Sequence, residues 1–214
     1  MEAHADVTGP SMTQYAEPAN PAGVVLMLHG GKDRGRDTVD NRSASWRRSA
    51  AMARAISADA EAAGAAVFLM RYRHRGWNGG TGPVEDARWA LDRVHAELGA
   101  LPVALLGHSM GARTAVHVAD DPQVHGVVAL APWFPGGEPV AALAGKRLVA
   151  AHGSRDRITS ARATRAYVER ARQAGADASF IDMGRVGHYL LRRVGAWNDL
   201  ALTRSLELLG TRSS

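Results

Sequence analysis

Cysteine is missing from all 214 residues, which excludes disulfides, a thiol nucleophile and any cysteine-ligated metal. Lysine is nearly missing as well: Lys32 and Lys146 are the only lysines among 26 basic residues. The net charge of +5 is therefore carried by arginines, which are dispersed among acids rather than gathered in one stripe. That distribution argues against nucleic-acid binding. No apolar run approaches the ~20 residues needed to span a bilayer. The opening Met1-Glu2-Ala3-His4-Ala5-Asp6 has neither a basic region nor an apolar stretch of signal-peptide length, so a soluble cytoplasmic protein is expected. Repeats and low-complexity tracts are absent too. With 46% apolar residues, residues 1–214 read as one domain with a real core. A polar, proline-interrupted leader over 1–21 has room for one edge strand around Met12 to Ala16.

What is present is a regular alternation of apolar runs and helical patterns. Strands are predicted at 24–28, 66–71, 101–106, 124–130, 147–152 and 178–183. Helices are predicted at 43–63, 83–98, 112–119, 161–174 and 196–209. Gly64 ends the first of these. Pro83 opens the second, with Val84, Ala87, Leu91, Val94 and Leu98 at helical spacing. Continuous apolar runs such as Val24-Val25-Leu26-Met27-Leu28 suit strands buried on both faces of a parallel sheet. The class is therefore α/β, a mostly parallel central sheet with helices on both faces. In such sheets ligands bind beyond the carboxyl ends of the strands.

The most informative stretch is Gly107-His108-Ser109-Met110-Gly111, between a strand and a helix. A serine spaced this way from two glycines can sit on a sharp strand-to-helix turn, its hydroxyl exposed above the sheet. In a chain with 23 glycines the pentapeptide alone is a weak signal, but it makes three further demands. An oxyanion loop should follow an earlier strand, and His29-Gly30-Gly31 does. An acid should follow a later strand, and Asp156 lies four residues past the run ending at His152. A histidine should come last, and His188 follows the strand 178–183.

The expected triad is Ser109 as nucleophile, His188 as base and then acid, and Asp156 as the group that holds its tautomer. Asp182 and Glu138 are the substitute acids. The expected oxyanion donors are the backbone N–H groups of Met110 and Gly31, with Gly30 and Lys32 as alternatives. Of the other histidines, His29, His108 and His152 stand at strand ends near the site. Without cysteine or HxxEH-type spacing, they do not suggest a metal, and no cofactor is expected. Trp133, Phe134, Trp77 and Tyr189 are candidates for the substrate pocket, or equally for packing under loops.

The HGG loop at 29–31, the GHSMG elbow, the HGxxD segment from His152 to Asp156 and the Gly187-His188 pair together resemble the α/β-hydrolase superfamily. The likeness covers essentially residues 22–210. Within it, the chain is most similar to small single-domain serine esterases of the carboxylesterase and dienelactone-hydrolase type. Dienelactone hydrolases usually carry cysteine where Ser109 stands. The resemblance implies hydrolysis of a small-molecule ester, thioester or lactone through an acyl-enzyme. Its alternatives are a cofactor-free haloperoxidase or hydroxynitrile lyase, or a ligand-binding relative without catalysis. The short stretch Ala131 to Gly145 leaves no room for a cap domain, so the site should be open or thinly covered.

Overall fold

The computed structural model describes residues 9–211; the opening residues of the leader, His4 among them, lie outside that range. Seven strands form one sheet: β1 (Ser11–Ala16), β2 (Gly23–Leu28), β3 (Ala65–Arg71), β4 (Val103–His108), β5 (Val124–Leu130), β6 (Arg147–His152) and β7 (Asp177–Asp182). Their order across the sheet is β1-β3-β2-β4-β5-β6-β7. Only β1 runs antiparallel, pairing with β3. It is the edge strand for which the leader had room. β2 and β4 are buried along their whole length, which is why their sequences are continuous apolar runs rather than alternations.

Five helices join the strands: α1 (Ala44–Ala62), α2 (Thr81–Leu98), α3 (Met110–His117), α4 (Ala161–Gln173) and α5 (Val194–Leu209). Right-handed crossovers put α1 on one face and α2, α3 and α4 on the other; α5 returns to pack on α1 and across β4 and β5. Gly64, at φ 75°, ends α1 as expected. α2 begins at Thr81 after Gly80, two residues before the predicted start, and Pro83 lies in its first turn as expected. Its buried face differs from expectation, because Asp86 and Ala90 are buried where Val84 and Leu98 are only partly covered. Asp86 can be buried because Arg73 meets it, with its backbone N–H at 3.0 Å and its Nε at 2.6 Å.

Chain order reverses between β2 and β4: β3 lies outside β2, while β5 to β7 extend the other way. Such a reversal leaves a crevice beyond the carboxyl ends of the two strands. Leu28 pairs with Gly107 in register, so the loops at His29 and Ser109 emerge side by side there. Between β5 and β6 the chain holds a single 3-10 turn, Ala141–Leu143, and no cap. No helix among the described residues is long and apolar enough to cross a membrane.

Candidate active site

Ser109 occupies the turn between β4 and α3 with φ 55° and ψ −115°, a conformation that costs a non-glycine residue ~1–3 kcal/mol. The neighbouring glycines make the turn possible. A Cβ on Gly107 would lie 2.5 Å from the backbone N of Ala112, and one on Gly111 would overlap the carbonyl of Leu28. The turn thus presses α3 against the end of β2 and leaves Ser109 at the strand tip.

The structure brings the three side chains singled out by the sequence into one chain of contacts. Ser109 Oγ lies 2.9 Å from His188 Nε2, and His188 Nδ1 lies 2.7 Å from Asp156 Oδ2. With Nδ1–H donating to the carboxylate, Nε2 is left as the acceptor facing the serine hydroxyl. The carboxylate is fully buried. Its Oδ1 accepts the backbone N–H groups of Ile158 and Thr159 at 2.8 and 2.9 Å. Burial alone would raise the Asp156 carboxyl, but donors from His152, His188 and these two amides outweigh it. The group is held well below the usual carboxylate range, so it stays ionised beneath the imidazole.

The substitute acids are elsewhere. Asp182 is exposed and paired with Arg165 at 3.1 Å. Glu138 is buried between Arg113 at 2.7 Å and His117 at 2.5 Å.

The strand-end histidines have partners within the protein. His152 places Nε2 3.0 Å from Asp156 Oδ2 and Nδ1 2.8 Å from Thr164 Oγ1. His108 donates from Nε2 to the His188 carbonyl at 3.0 Å, which ties the elbow to the histidine loop. Burial pulls its pKa down to about 3, so it is neutral. His29 is also kept neutral by burial, with a pKa lowered to about 4. Its Nε2 accepts the Tyr72 N–H at 3.3 Å, leaving Nδ1–H to donate to the Gly30 carbonyl at 2.6 Å. In a trans peptide the next N–H points the opposite way, so His29 turns the Gly31 N–H away from itself. Among the described residues no backbone carbonyl accepts that N–H. The Lys32 N–H, in contrast, is taken by the Arg75 carbonyl at 2.8 Å. Met110 is the first residue of α3, where the N–H has no acceptor within the helix.

The four aromatic pocket candidates divide. Trp133 is half-buried and forms the wall between two open grooves, one of ≈ 550 Å³ beside Asp156 and one of ≈ 770 Å³ beside Asp33 and Arg36. Trp77 is buried at the second groove, and the Arg113 guanidinium lies between the two indoles at 4.2 and 4.4 Å. Phe134 is buried and stacks on Tyr167 at 4.0 Å, so its ring mainly packs. Tyr189 is exposed, edge-on to the His188 ring. Sequence reasoning assigned no role to His152, Thr159, Arg113 or the inward faces of His29 and His108. Only the i, i+4 spacing of His152 and Asp156 could have signalled one of them.

No curated protein matches the sequence. Solved structures do, at identities that speak to the fold alone. An α/β serine hydrolase without lid from Xanthomonas campestris is 17% identical, with 92% of this chain and 87% of that chain covered at a TM-score of 0.69. A serine hydrolase homologue from Coxiella burnetii is 17% identical, with coverages of 91% and 90% and a TM-score of 0.69. Esterase 2 of Thermogutta terrifontis, phosphonylated by cyclosarin, is 18% identical, with coverages of 96% and 91% and a TM-score of 0.71. The profile of the alpha/beta hydrolase family matches residues 25–211, and with that match, on this sheet and this elbow, the chain belongs to the alpha/beta hydrolase family.

Proposed function

We propose that the protein is a serine hydrolase that cleaves a carboxylic ester, thioester or lactone through an acyl-enzyme. The observation that carries this reading is the continuous contact from Ser109 Oγ through His188 to a buried, ionised Asp156, at 2.9 and 2.7 Å. His188 Nε2 takes the serine proton as Oγ attacks the carbonyl carbon. The Met110 and Gly31 N–H groups stabilise the oxyanion, each such donor being worth ~3 kcal/mol in the transition state. The imidazolium formed, stabilised by Asp156, then protonates the leaving alcohol, thiol or lactone oxygen. In the second half His188 takes a proton from water, the hydroxide attacks the acyl carbon, and Ser109 is released with its proton restored.

An esterase of this fold that is phosphonylated by an organophosphonate makes the same chemistry the direct test. A fluorophosphonate probe labels the native protein once, at Ser109, and leaves Ser109→Ala unlabelled. The native protein also turns over a short-chain p-nitrophenyl ester repeatedly. Labelling at another residue, or a single burst without turnover, overturns the reading.

A further inference from the structure

Large apolar side chains are exposed at only four places among the described residues: Ile158, Tyr189, Leu191 and Val194, at 61, 57, 66 and 49%. All four lie on the two segments that carry Asp156 and His188, within six residues of one or the other. Exposed apolar residues scattered singly need no explanation, but their concentration around one opening does.

The backbone sets two of them, Leu191 and Val194, beside strained positions. Leu190 and Arg193 are non-glycine residues in the left-handed region, at φ 56° and 59°. That conformation buries Leu190 while Leu191 and Val194 stay exposed. Strain kept in a loop beside a candidate active site invites a functional reading. Between this loop and α1 runs a groove of ≈ 460 Å³, with Ala51, Met52, Leu190, Leu191 and Val194 among its lining.

The charge of the same face is predominantly positive. Arg155, Arg157, Arg185 and Arg192 are exposed on these segments, and none pairs with a carboxylate among the described residues. No acid occurs from Met183 to Asn198, and the next one, Asp199, is exposed on α5. Asp156 is buried under its imidazoles, and Asp182, at the border, is engaged by Arg165.

We propose that this face docks on an anionic lipid–water interface, with Ile158, Leu191 and Val194 entering the apolar layer and the arginines meeting the headgroups. Apolar insertion and electrostatic attraction act together at such interfaces. A second copy of this chain is the poorer occupant: a two-fold contact sets a patch against itself, which would bring unpaired arginines onto arginines. With no cap over the site, an interface covering this face delivers an ester directly to Ser109. Docking goes beyond the hydrolase reading and does not need it to hold.

The test uses Ser109→Ala, so that binding is scored without chemistry. Cosedimentation with vesicles rich in phosphatidylglycerol captures the protein, and pure phosphatidylcholine vesicles bind it at least about tenfold more weakly. Leu191→Glu and Ile158→Glu, both at exposed positions and checked for native circular dichroism, each weaken binding about tenfold or more. The double change Arg157→Glu/Arg192→Glu does the same. Arg93→Glu/Arg204→Glu alters net charge equally, on the parts of α2 and α5 that lie toward the amino-terminal ends of the strands, and has less than about a threefold effect.

Equal loss in the remote double variant would reduce the effect to a basic protein meeting an anionic surface, and would overturn the proposal. So would binding indifferent to Leu191→Glu, or no binding at all. A dimer in sedimentation velocity that Leu191→Glu dissolves, without vesicle binding, would assign the face to a second copy instead. Vesicle binding by Ser109→Ala, with no ester hydrolysis by the native protein, would sink the hydrolase reading alone.

Discussion

His152 and His188 approach the same oxygen of one carboxylate: Asp156 Oδ2 lies 3.0 Å from His152 Nε2 and 2.7 Å from His188 Nδ1. The two imidazoles reach it from opposite ends of a short path. His152 ends β6 and is fixed from behind by Thr164 on α4, whereas His188 arrives on the loop after β7. Thr159 Oγ1 also donates to Oδ2, at 3.0 Å. The carboxylate is thus oriented by the sheet before His188 touches it, and in the proposed reaction His152 acts only through Asp156.

Replacing His152 should therefore lower turnover more than it disturbs substrate binding. A hydrogen bond to a charged group contributes about 1.5–3 kcal/mol, so His152→Phe is expected to cut kcat by roughly tenfold to a hundredfold. KM for a small soluble ester stays within about twofold. His152→Asn, which can still donate, recovers part of the loss. Steady-state kinetics of the two variants decide this, and a His152→Phe enzyme with native kcat would reduce His152 to packing.

Acid should destabilise the fold in two stages. His29 and His108 have pKa values lowered by burial to about 4 and about 3, whereas an unfolded histidine titrates near 6.5. Below that value the unfolded chain binds protons that the folded chain refuses. The stability each site contributes is complete above pH ~6.5 and falls by about 1.4 kcal/mol per pH unit as pH drops toward the folded value. Asp156, held low, adds a second loss once pH passes below the ordinary carboxylate range near 4. Asp86, which burial pushes up, opposes that second stage. Thermal melts between pH 7 and 4.5 should show the first stage, with a shallower slope in His108→Asn. A midpoint that does not move over that range would contradict the assignment of buried neutral imidazoles.

The architecture was legible wherever a residue's burial depends on its own strand or helix. The run Val24 to Leu28 reads as a central strand because β2 is covered on both faces, and Ser109 stands out because its glycines answer a local demand of the turn. Residues whose setting is made by distant segments were not legible. Asp86 looks like a surface acid on α2 until Arg73 is carried to it from the end of β3. Trp77 and Phe134 look equally like pocket lining until Arg113 and Tyr167 are placed against them. The role of His152 needs the loop after β6 folded back over the strand end, and periodicity does not carry that information.

Gly31 should tolerate no side chain. A Cβ there would lie 2.6 Å from the Arg75 carbonyl and against the Met110 thioether. Methionine can yield, but the carbonyl belongs to the backbone that also anchors Lys32. Gly31→Ala is expected to displace the 30–32 loop and remove its N–H from the site. One lost oxyanion donor costs about 10²- to 10³-fold in kcat. The rate of fluorophosphonate labelling should fall in parallel, while circular dichroism stays native. Near-native labelling and turnover would move the second donor elsewhere on the loop.

Asp156, and neither Asp182 nor Glu138, should be the acid on which turnover depends. Asp156→Asn leaves the two backbone donors to Oδ1 in place but offers His188 Nδ1 an uncharged partner, which an amide group can satisfy with the wrong tautomer. The expected result is a folded protein with kcat lowered by up to ~10⁴-fold. Asp182→Asn removes an exposed ion pair with Arg165, worth ~1 kcal/mol or less, and leaves kcat alone. Glu138→Gln is the more telling control, because Glu138 is buried and holds both Arg113 and His117. Removing its charge strands the Arg113 guanidinium between Trp77 and Trp133, so the midpoint of thermal unfolding drops while the kcat of the folded fraction stays within a few-fold of native. If Asp156→Asn keeps most of its activity and Glu138→Gln loses it at temperatures where both are folded, the contact at 2.7 Å is not the one that drives the base.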